Sequence, residues 1–433
     1  MPAPRPPGGH RDREADMCSA PARPVHPAPE PVPAGPVPLA ARMRAVRGSA
    51  IRDLLTLTAR HDVLSLAGGL PAVDLMPHER IAAATARALA APAAVQYSET
   101  AGIGALREAV AAHESARTGR DLGPADVVVT SGSQQALDLL ARATLDPGAA
   151  VVVEDPAYVG ALQVFQAAGA VLHGVPVDAD GMDLDALERL LDGGLRPRLV
   201  HTVASFHNPR GVTLSQQRRA RLARLADRYG FLVVEDDPYG LIAFEGPPPV
   251  PVAAHGDRVA RLGSASKILA PALRVGWLVA PPEVGAAVER LKQSTDLCGS
   301  ALTQTVAAEL LADTDWLQRH LDGLRVAYRS RARAFTAAVD EAFGDAVERS
   351  TPTGGMFCWL RFTDGRDTSA LLTRAIEHGV AFVPGSAFAV HDPLTSALRC
   401  SFATYPEPVL QDAVRRLARA AAPSTAPSTA TAS

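Results

Sequence analysis

Short apolar runs alternate with helical patterns along the middle of this 433-residue chain. From about residue 125, runs rich in valine and leucine are each followed by a segment with apolar residues at helical spacing. Strands that are apolar on both faces and alternate with helices are typical of a parallel sheet covered by helices on both sides. These segments are "VVVT", "AAVVVEDP", "RLVHTVASFHNP", "FLVVEDDPYG" and "VARLGSASK". The pattern predicts an α/β fold with a mostly parallel sheet.

Polar segments rich in glycine and proline follow these strands. In open α/β sheets, ligands bind in the crevice at the carboxyl ends of the strands. We therefore expect five post-strand segments to converge on one site. They are "SGSQ", "EDPAY", "SFHNP", "EDDPY" and "GSASK".

The rest of the chain predicts a second domain and two terminal segments. After a helix-rich stretch, "GGMFCWLRF", "VAFVPGSAF" and "ALRCSFA" have the pattern of strands in a smaller α+β domain. The first 38 residues hold 12 of the 36 prolines, which predicts a disordered leader. The expected boundaries are 1–38 for the leader, 39–75 for an N-terminal arm with a substrate-covering helix, 76–295 for the large domain, 296–420 for the small domain with its linking helices, and 421–433 for a disordered tail.

Charge and cysteine usage exclude several classes of protein. The net charge of −3 gives no reason to expect nucleic acid or an anionic membrane as a partner. No apolar run is long enough to span a membrane. The four scattered cysteines include no CxxC pair, which predicts reduced thiols, no metal site and a cytoplasmic location. No GxGxxG motif follows the first strand, which argues against a dinucleotide site.

Only two lysines, Lys267 and Lys292, stand among 43 basic residues. Lys267 lies in "RLGSASKILAPALRVGW", directly after a predicted strand. A lysine amine can lose its proton and attack a carbonyl, whereas a guanidinium stays protonated. Lys267 is therefore a candidate to form a Schiff base. Lys292 has no such setting, and its replacement by arginine is expected to change nothing measurable.

The residues predicted to surround Lys267 are those that a pyridoxal phosphate site requires. Asp236 could keep the pyridine nitrogen protonated, Tyr239 and Asn208 could hydrogen-bond the ring oxygen, and Tyr158 could stack on the ring. Five residues offer donors for the phosphate: Ser133, Gln134, Ser264, Ser266 and Arg274. Each motif taken singly is explained by a helix cap or a turn. Their joint occurrence after successive strands favours the cofactor site.

The chain resembles the fold-type I, class I/II pyridoxal-phosphate aminotransferases over about residues 46–420, and is most similar to the branch of the 2-aminoadipate (LysN-like) and kynurenine aminotransferases. The motifs that carry the resemblance are "SAIRDLL", "LSLAGGLP", "QYSETAGIGALREAV", "TSGSQQALDLL", "HNPRGV", "VVEDDPYG", "GSASKILAPALRVGW", "GGMF" and "LRCSF". The resemblance implies a seven-stranded-type sheet in a large cofactor domain. It also implies a ping-pong transfer of an amino group between an L-amino acid and a 2-oxo acid, with glutamate and 2-oxoglutarate as one pair.

The resemblance also assigns roles to single residues. It implies that Lys267 binds the cofactor covalently and carries the proton at the substrate α-carbon, and that Arg399 binds the α-carboxylate. Tyr97 matches a tyrosine that reaches the cofactor of the partner subunit, which implies a homodimer with shared active sites. The implied cofactor contacts are Asp236 at the pyridine nitrogen, Asn208 and Tyr239 at the ring oxygen, and Ser133, Gln134, Ser264, Ser266 and Arg274 at the phosphate.

Fewer residues indicate the substrate. Gly69 and Asn208 match positions beside the bound substrate, and Ser49 and Arg52 match a mobile N-terminal helix that meets its side chain. Arg52 either points inward, which favours acidic side chains such as 2-aminoadipate, or lies on a solvated helix face. The family usually has threonine where this chain has Arg210, with little effect expected on the chemistry.

Two other functions fit the same scaffold. A cyclase, a lyase or an oxidase would use the same cofactor, so the motifs do not separate these reactions from amino transfer. A non-catalytic regulator would need a folded DNA-binding module before the domain, and the proline-rich leader is too short for one. We expect an aminotransferase.

Overall fold

A large sheet, a smaller sheet and a two-stranded pair organise the part of the protein that this computed structural model describes, which is Met43, Gly48 and residues 62–422. The strands are Leu64–Ser65 (β1), Val127–Thr130 (β2), Ala150–Asp155 (β3), Val171–Asp178 (β4), Gly181–Met182 (β5), Leu199–Thr202 (β6), Leu232–Asp236 (β7), Val259–Ser264 (β8), Gly276–Val279 (β9), Val347–Arg349 (β10), Phe357–Phe362 (β11), Val380–Ala381 (β12), Val383–Pro384 (β13) and Ala397–Ser401 (β14).

The α-helices of the described residues alternate with these strands and then form a block of three before the second sheet. They are His78–Leu89 (α1), Gly104–Thr118 (α2), Ser133–Thr144 (α3), Val159–Ala167 (α4), Leu184–Asp192 (α5), Gln216–Tyr229 (α6), Pro282–Thr295 (α7), Ala301–Ala312 (α8), Thr314–Phe343 (α9), Thr368–Glu377 (α10) and Glu407–Ala421 (α11). None of these helices combines the length and the apolar character that a membrane crossing requires.

The large sheet has eight strands in the order β2-β9-β8-β7-β6-β3-β4-β5. Strands β3, β4, β6, β7 and β8 pair in parallel, and β9 runs antiparallel to both of its neighbours. The predicted mostly parallel sheet is confirmed. It exceeds the seven-stranded type by β5, a two-residue strand that turns back onto the edge strand β4.

Burial explains why the sheet strands read as continuous apolar runs. Val151, Val152 and Val153 are all fully buried, because helices cover both faces of the sheet. Helices α3, α4 and α7 contribute to the core on one face, and α5 and α6 to the core on the other. Helices α3, α4, α5 and α6 each lead the chain into the next parallel strand at its amino-terminal edge, so the loops after these strands gather at the opposite edge.

The second sheet is antiparallel, with the order β10-β11-β14-β13. Strands β11, β13 and β14 lie within the three segments that the sequence predicts for the small α+β domain, whereas β10 lies before them and was not predicted. Helices α9, α10 and α11 pack together beside this sheet. Strand β1, from the predicted arm, pairs in parallel with β12. Helix α8 packs against α1 and α2. The residue boundaries of the domains stay predictions.

Candidate active site

One cavity at the carboxyl edge of the large sheet brings the five post-strand segments together. Its volume is about 730 Å³. The residues predicted from the sequence that line it are Gly69, Ser133, Gln134, Tyr158, Asn208, Asp236, Tyr239, Ser264, Ser266, Lys267, Arg274 and Arg399. Tyr97 does not line the cavity, and its side chain is 78% exposed. Ser49 and Arg52 lie outside the described residues.

A larger groove, of about 1190 Å³, lies at the opposite edge of the same sheet. It is lined by charged side chains that already pair with each other, such as Arg261 with Glu114 and Arg120 with Asp257. None of the predicted site residues lines it. We assign the active site to the smaller cavity, because that cavity holds the reactive groups.

Lys267 follows β8 and projects into the cavity half-buried. Its Nζ donates a hydrogen bond of 2.8 Å to the carbonyl oxygen of Gly69. Burial, together with the charges of Arg399 and Arg274, lowers the pKa of the Lys267 amine to about 8. At neutral pH a much larger fraction of this amine is unprotonated than for an exposed lysine, as a nucleophile requires.

The period of two along β7 explains how Asp236 comes to face the cavity. Its neighbours Glu235 and Asp237 point to the opposite side, where Arg261 pairs with them at 3.4 and 2.8 Å. Asp236 is 4% exposed, and its Oδ1 atom has no hydrogen-bond partner among the described residues. Burying a carboxylate oxygen without a hydrogen-bond donor costs free energy, so the site favours a ligand that donates a hydrogen bond to this oxygen.

Two tyrosines border the space in front of Asp236. Burial raises the pKa of Tyr239 well above its usual range, so the hydroxyl stays protonated and can donate a hydrogen bond. Burial and the nearby charge of Asp236 raise the pKa of Tyr158 to about 12. The Tyr158 hydroxyl donates to Oε1 of Gln134 at 3.1 Å. Both phenols therefore act as neutral donors.

The loop before α3 and the Arg274 side chain form the predicted phosphate subsite. Gly132 has φ of 83°, a backbone conformation that favours glycine, and a Cβ atom there would lie 2.7 Å from Nη2 of Arg274. Helix α3 begins at Ser133, and its first N–H groups provide donors that an anion accepts. Ser264 and Ser266 lie beside each other, since the Ser266 N–H donates to the Ser264 hydroxyl at 3.1 Å.

Gln134 differs in detail from the sequence-based interpretation. Its side-chain amide is occupied: Oε1 accepts from Tyr158, and Nε2 donates to the carbonyl oxygen of Gly160 at 3.1 Å. The backbone N–H, in the first turn of α3, is a donor for a phosphate, and Nε2 keeps its second N–H. The side chain instead supports the tyrosine, an orientation that the motif "SGSQ" does not reveal.

Arg399, on β14, is the buried cation of the site. Its Nη1 donates to Oδ1 of Asn208 at 2.7 Å, and Nη2 donates to the carbonyl oxygen of Ala67. The guanidinium stacks 4.3 Å from the ring centre of Phe357 and 5.1 Å from that of Phe388. No carboxylate of the described residues pairs with it. Burial lowers its pKa to about 10, and it remains charged at neutral pH.

Sequence reasoning missed three of these supporting groups. The carbonyl of Ala67 gives no sequence signal, because any residue has a backbone oxygen. Phe388 lies in "VPGSAF", which predicted only a strand. Phe357 stands in the quoted motif "GGMF", so the motif was the signal that could have indicated it; the structure places it on β11, next to the strand of Arg399.

The groups that line the cavity fit pyridoxal phosphate. A protonated pyridine nitrogen is the donor that Oδ1 of Asp236 lacks. The first turn of α3, the two serines and Arg274 suit a phosphate, and the amine of Lys267 suits an aldehyde. No cluster of three or more metal-ligating side chains occurs in the described part of the chain.

Comparisons with known proteins agree with this geometry. Residues 61–417 match the model of the family "Aminotransferase class I and II". The 2-aminoadipate transaminase of Thermus thermophilus is 40% identical over 87% of this chain and 94% of its own length. The aromatic-amino-acid aminotransferase 1 of Thermococcus litoralis is 39% identical over 86% of this chain and 91% of its own.

A solved structure extends the agreement to the fold. The kynurenine aminotransferase of Pyrococcus horikoshii, solved with PMP, superposes with a TM-score of 0.84 at 39% identity, over 88% of this chain and 96% of that one. The cavity, its lysine and these similarities lead to one conclusion. The chain belongs to the class I and II aminotransferases of fold-type I and is a pyridoxal-phosphate-dependent enzyme.

Proposed function

We propose that the enzyme uses glutamate and 2-oxoglutarate as one substrate pair and works by a ping-pong cycle. In the first half-reaction an L-amino acid leaves its amino group on the enzyme, and in the second a 2-oxo acid accepts it. One site serves both halves, since each substrate carries an α-carboxylate next to the reacting carbon.

The observation that carries this proposal is the buried, unpaired guanidinium of Arg399. A planar guanidinium binds a carboxylate through two parallel hydrogen bonds. Amino acids and 2-oxo acids share that carboxylate, so the same residue orients both. Asn208 and the carbonyl of Ala67 hold the guanidinium in place from behind.

The other residues act on the proton and on charge. When bound, pyridoxal phosphate supplies the electron sink for the charge left at the substrate α-carbon. Lys267 takes the α-proton and returns it, a task that its lowered pKa suits. Asp236 holds the proton on the pyridine nitrogen, and Tyr239 donates to the ring oxygen. Ser133, Ser264, Ser266 and Arg274 hold the phosphate.

In this proposal, residues of the N-terminal arm determine which substrate side chains the enzyme accepts. Gly48, directly before Ser49, lines the cavity, which supports a location of the arm close to the substrate. An inward Arg52 would favour acidic side chains such as 2-aminoadipate. The name of the Thermus thermophilus relative, 2-aminoadipate transaminase, is consistent with that choice.

The test of the reaction is a single half-reaction on the holoenzyme. L-Glutamate added alone should shift the visible absorbance of the bound cofactor and release one equivalent of 2-oxoglutarate per site. At several fixed concentrations of a 2-oxo acid acceptor, double-reciprocal plots of rate against glutamate concentration should be parallel. Intersecting plots, or no product until the acceptor is added, would contradict the ping-pong cycle. Release of a cyclised or eliminated product would assign the site to another reaction.

We propose a homodimer with shared active sites as the working state of the enzyme. Val95, Tyr97 and Leu297 expose 72%, 78% and 52% of their surface. Their segments adjoin, because the Ser98 hydroxyl donates to the carbonyl of Gly299 at 3.3 Å. Exposed apolar residues grouped in this way are typical of an interface between subunits. Tyr97 would then extend into the cavity of the partner.

Mixing two inactive variants tests this shared site. In a heterodimer of Tyr97→Ala with Lys267→Ala, one site keeps both residues and the other loses both. Random exchange should restore about a quarter of the wild-type activity, because half of the dimers are heterodimers with one intact site. Native mass spectrometry verifies the exchange. No recovery after verified exchange would show that Tyr97 acts within its own subunit, and mixtures of each variant with itself are the control.

We also propose that the enzyme is cytoplasmic. Cys358 and Cys400 face each other across β11 and β14 and are free thiols, as is Cys298. Burial raises the pKa of Cys358 to about 12, which keeps this thiol protonated and unreactive. Adjacent cysteines that remain thiols are consistent with a reducing compartment.

A further inference from the structure

Lys292, the second lysine of the chain, is not a surface residue. It lies on α7 and is fully buried, and its Nζ pairs with Oδ1 of Asp296 at 2.7 Å. The expectation that arginine can replace it without effect assumed an exposed side chain, and the burial of Lys292 removes that basis, since a larger planar cation must fit a close-packed core. Burying an ammonium is costly, so its position calls for a reason beyond charge.

A continuous series of hydrogen bonds links this lysine to the phosphate subsite. Oδ2 of Asp296 accepts from Nε2 of Gln135 at 2.7 Å. Oε1 of Gln135 accepts from the backbone N–H of Ser131, also at 2.7 Å. The carbonyl oxygen of Ser131 accepts from Nη2 of Arg274 at 2.8 Å. In the loop before α3, the backbone N–H of Ser131 is thus held by the Gln135 side chain, and its carbonyl oxygen by the Arg274 side chain.

The chemistry of these groups gives the series one direction. The ammonium of Lys292 only donates, and the ionised carboxylate of Asp296 only accepts. The Gln135 amide must then turn its NH₂ group toward Asp296 and its oxygen toward the N–H of Ser131. Reversed, the amide would place two donors against each other. Lys292 donates to one oxygen of Asp296, and the other oxygen of Asp296 sets the orientation of the glutamine.

We propose that Lys292 is a positioning residue for the cofactor phosphate, acting through Asp296 and Gln135 on the Ser131 loop. The inference rests on the assignment of Arg274 and the first turn of α3 to the phosphate. It adds that the loop is placed from behind by a buried ion pair. The two lysines of the chain then serve the two ends of one ligand, its aldehyde and its phosphate.

The test compares ligands that differ only in the phosphate. Calorimetry on the apoenzyme gives the dissociation constants of pyridoxamine 5′-phosphate and of pyridoxamine, neither of which binds covalently to Lys267. Lys292→Met and Gln135→Leu should each lower the preference for the phosphorylated ligand roughly tenfold, the size of effect that loss of an outer-shell partner has at metal sites. A general folding defect would weaken both ligands alike.

Two further variants separate positioning from stability. The double variant Lys292→Met/Asp296→Leu replaces the ion pair with apolar side chains and should keep its melting temperature, since buried pairs tolerate such exchange. It should still lose the phosphate preference, because Gln135 has lost its acceptor. Arg331→Met removes a buried arginine elsewhere that pairs with the exposed Asp74 and donates to the carbonyl oxygen of Ala403, so it should lower the melting temperature without changing the preference.

An unchanged preference in Lys292→Met, Gln135→Leu and the double variant would overturn the proposal and leave the ion pair a structural element. Arg274→Met tests the premise separately. If Arg274→Met keeps the full phosphate preference, the phosphate assignment itself fails. If Arg274→Met loses the phosphate preference while Lys292→Met, Gln135→Leu and the double variant keep it, only the role of Lys292 fails. If Lys292→Met does not fold, Gln135→Leu and the double variant decide.

Discussion

Replacing Lys267 with arginine is expected to abolish amino transfer while the protein stays folded. The guanidinium keeps the charge but stays protonated at physiological pH, so it neither attacks the cofactor aldehyde nor takes the α-proton. Loss of the covalent link and of the proton carrier together should lower kcat by at least about four orders of magnitude. The phosphate and ring contacts remain, so the cofactor should still bind.

Two measurements check this result. The visible absorbance of the lysine-bound cofactor should disappear from Lys267→Arg, and turnover should fall to background. In Lys267→Ala, added methylamine should restore part of the activity, because it supplies the missing amine in the space left by the side chain. Arg224→Lys, an exposed exchange of the same two residue types, is the control and should be silent. Normal absorbance and turnover in Lys267→Arg would refute the assignment of the cofactor lysine.

The sequence was enough to predict that the site residues meet, because their meeting depends on the topology of the sheet. Asp236, Asn208 and Lys267 each follow an apolar run that could only be a buried strand. Parallel strands end at one edge, so the residues after them meet even though they are far apart in sequence. The order of the strands was not needed for this inference. The alternation of strand and helix was sufficient.

The orientation of side chains was not predictable in the same way. Gln134 and Gln135 are neighbours in one motif, yet the first supports Tyr158 and the second supports Ser131. Which way each amide points depends on residues of α7 and of the loop after β3, which no local pattern reveals. Lys292 shows the same limit, since its burial results from the packing of α7 against α3.

Arg399→Lys is expected to weaken the recognition of the substrate α-carboxylate. The guanidinium already donates to Asn208 and Ala67 and lies between Phe357 and Phe388, while it lacks an anionic partner among the described residues. A lysine ammonium is a point charge with three donors, so it cannot keep these contacts and also bind a carboxylate through two parallel bonds. Loss of one hydrogen bond to the carboxylate costs about 1.5–3 kcal/mol, so kcat/KM for amino acids should fall by roughly one to two orders of magnitude.

The decisive comparison is between an amino acid and the amine that lacks only its carboxylate. Wild-type enzyme should strongly prefer the amino acid, and Arg399→Lys should lose most of that preference while the slow reaction of the amine barely changes. The absorbance of the bound cofactor should stay normal, because Lys267 and Asp236 are untouched. Arg331→Lys alters another buried arginine and should keep the preference. If Arg399→Lys slows both substrates equally, the guanidinium supports the fold of β14 rather than the substrate. A selective loss instead ties the buried charge to the carboxylate that every amino acid and 2-oxo acid shares.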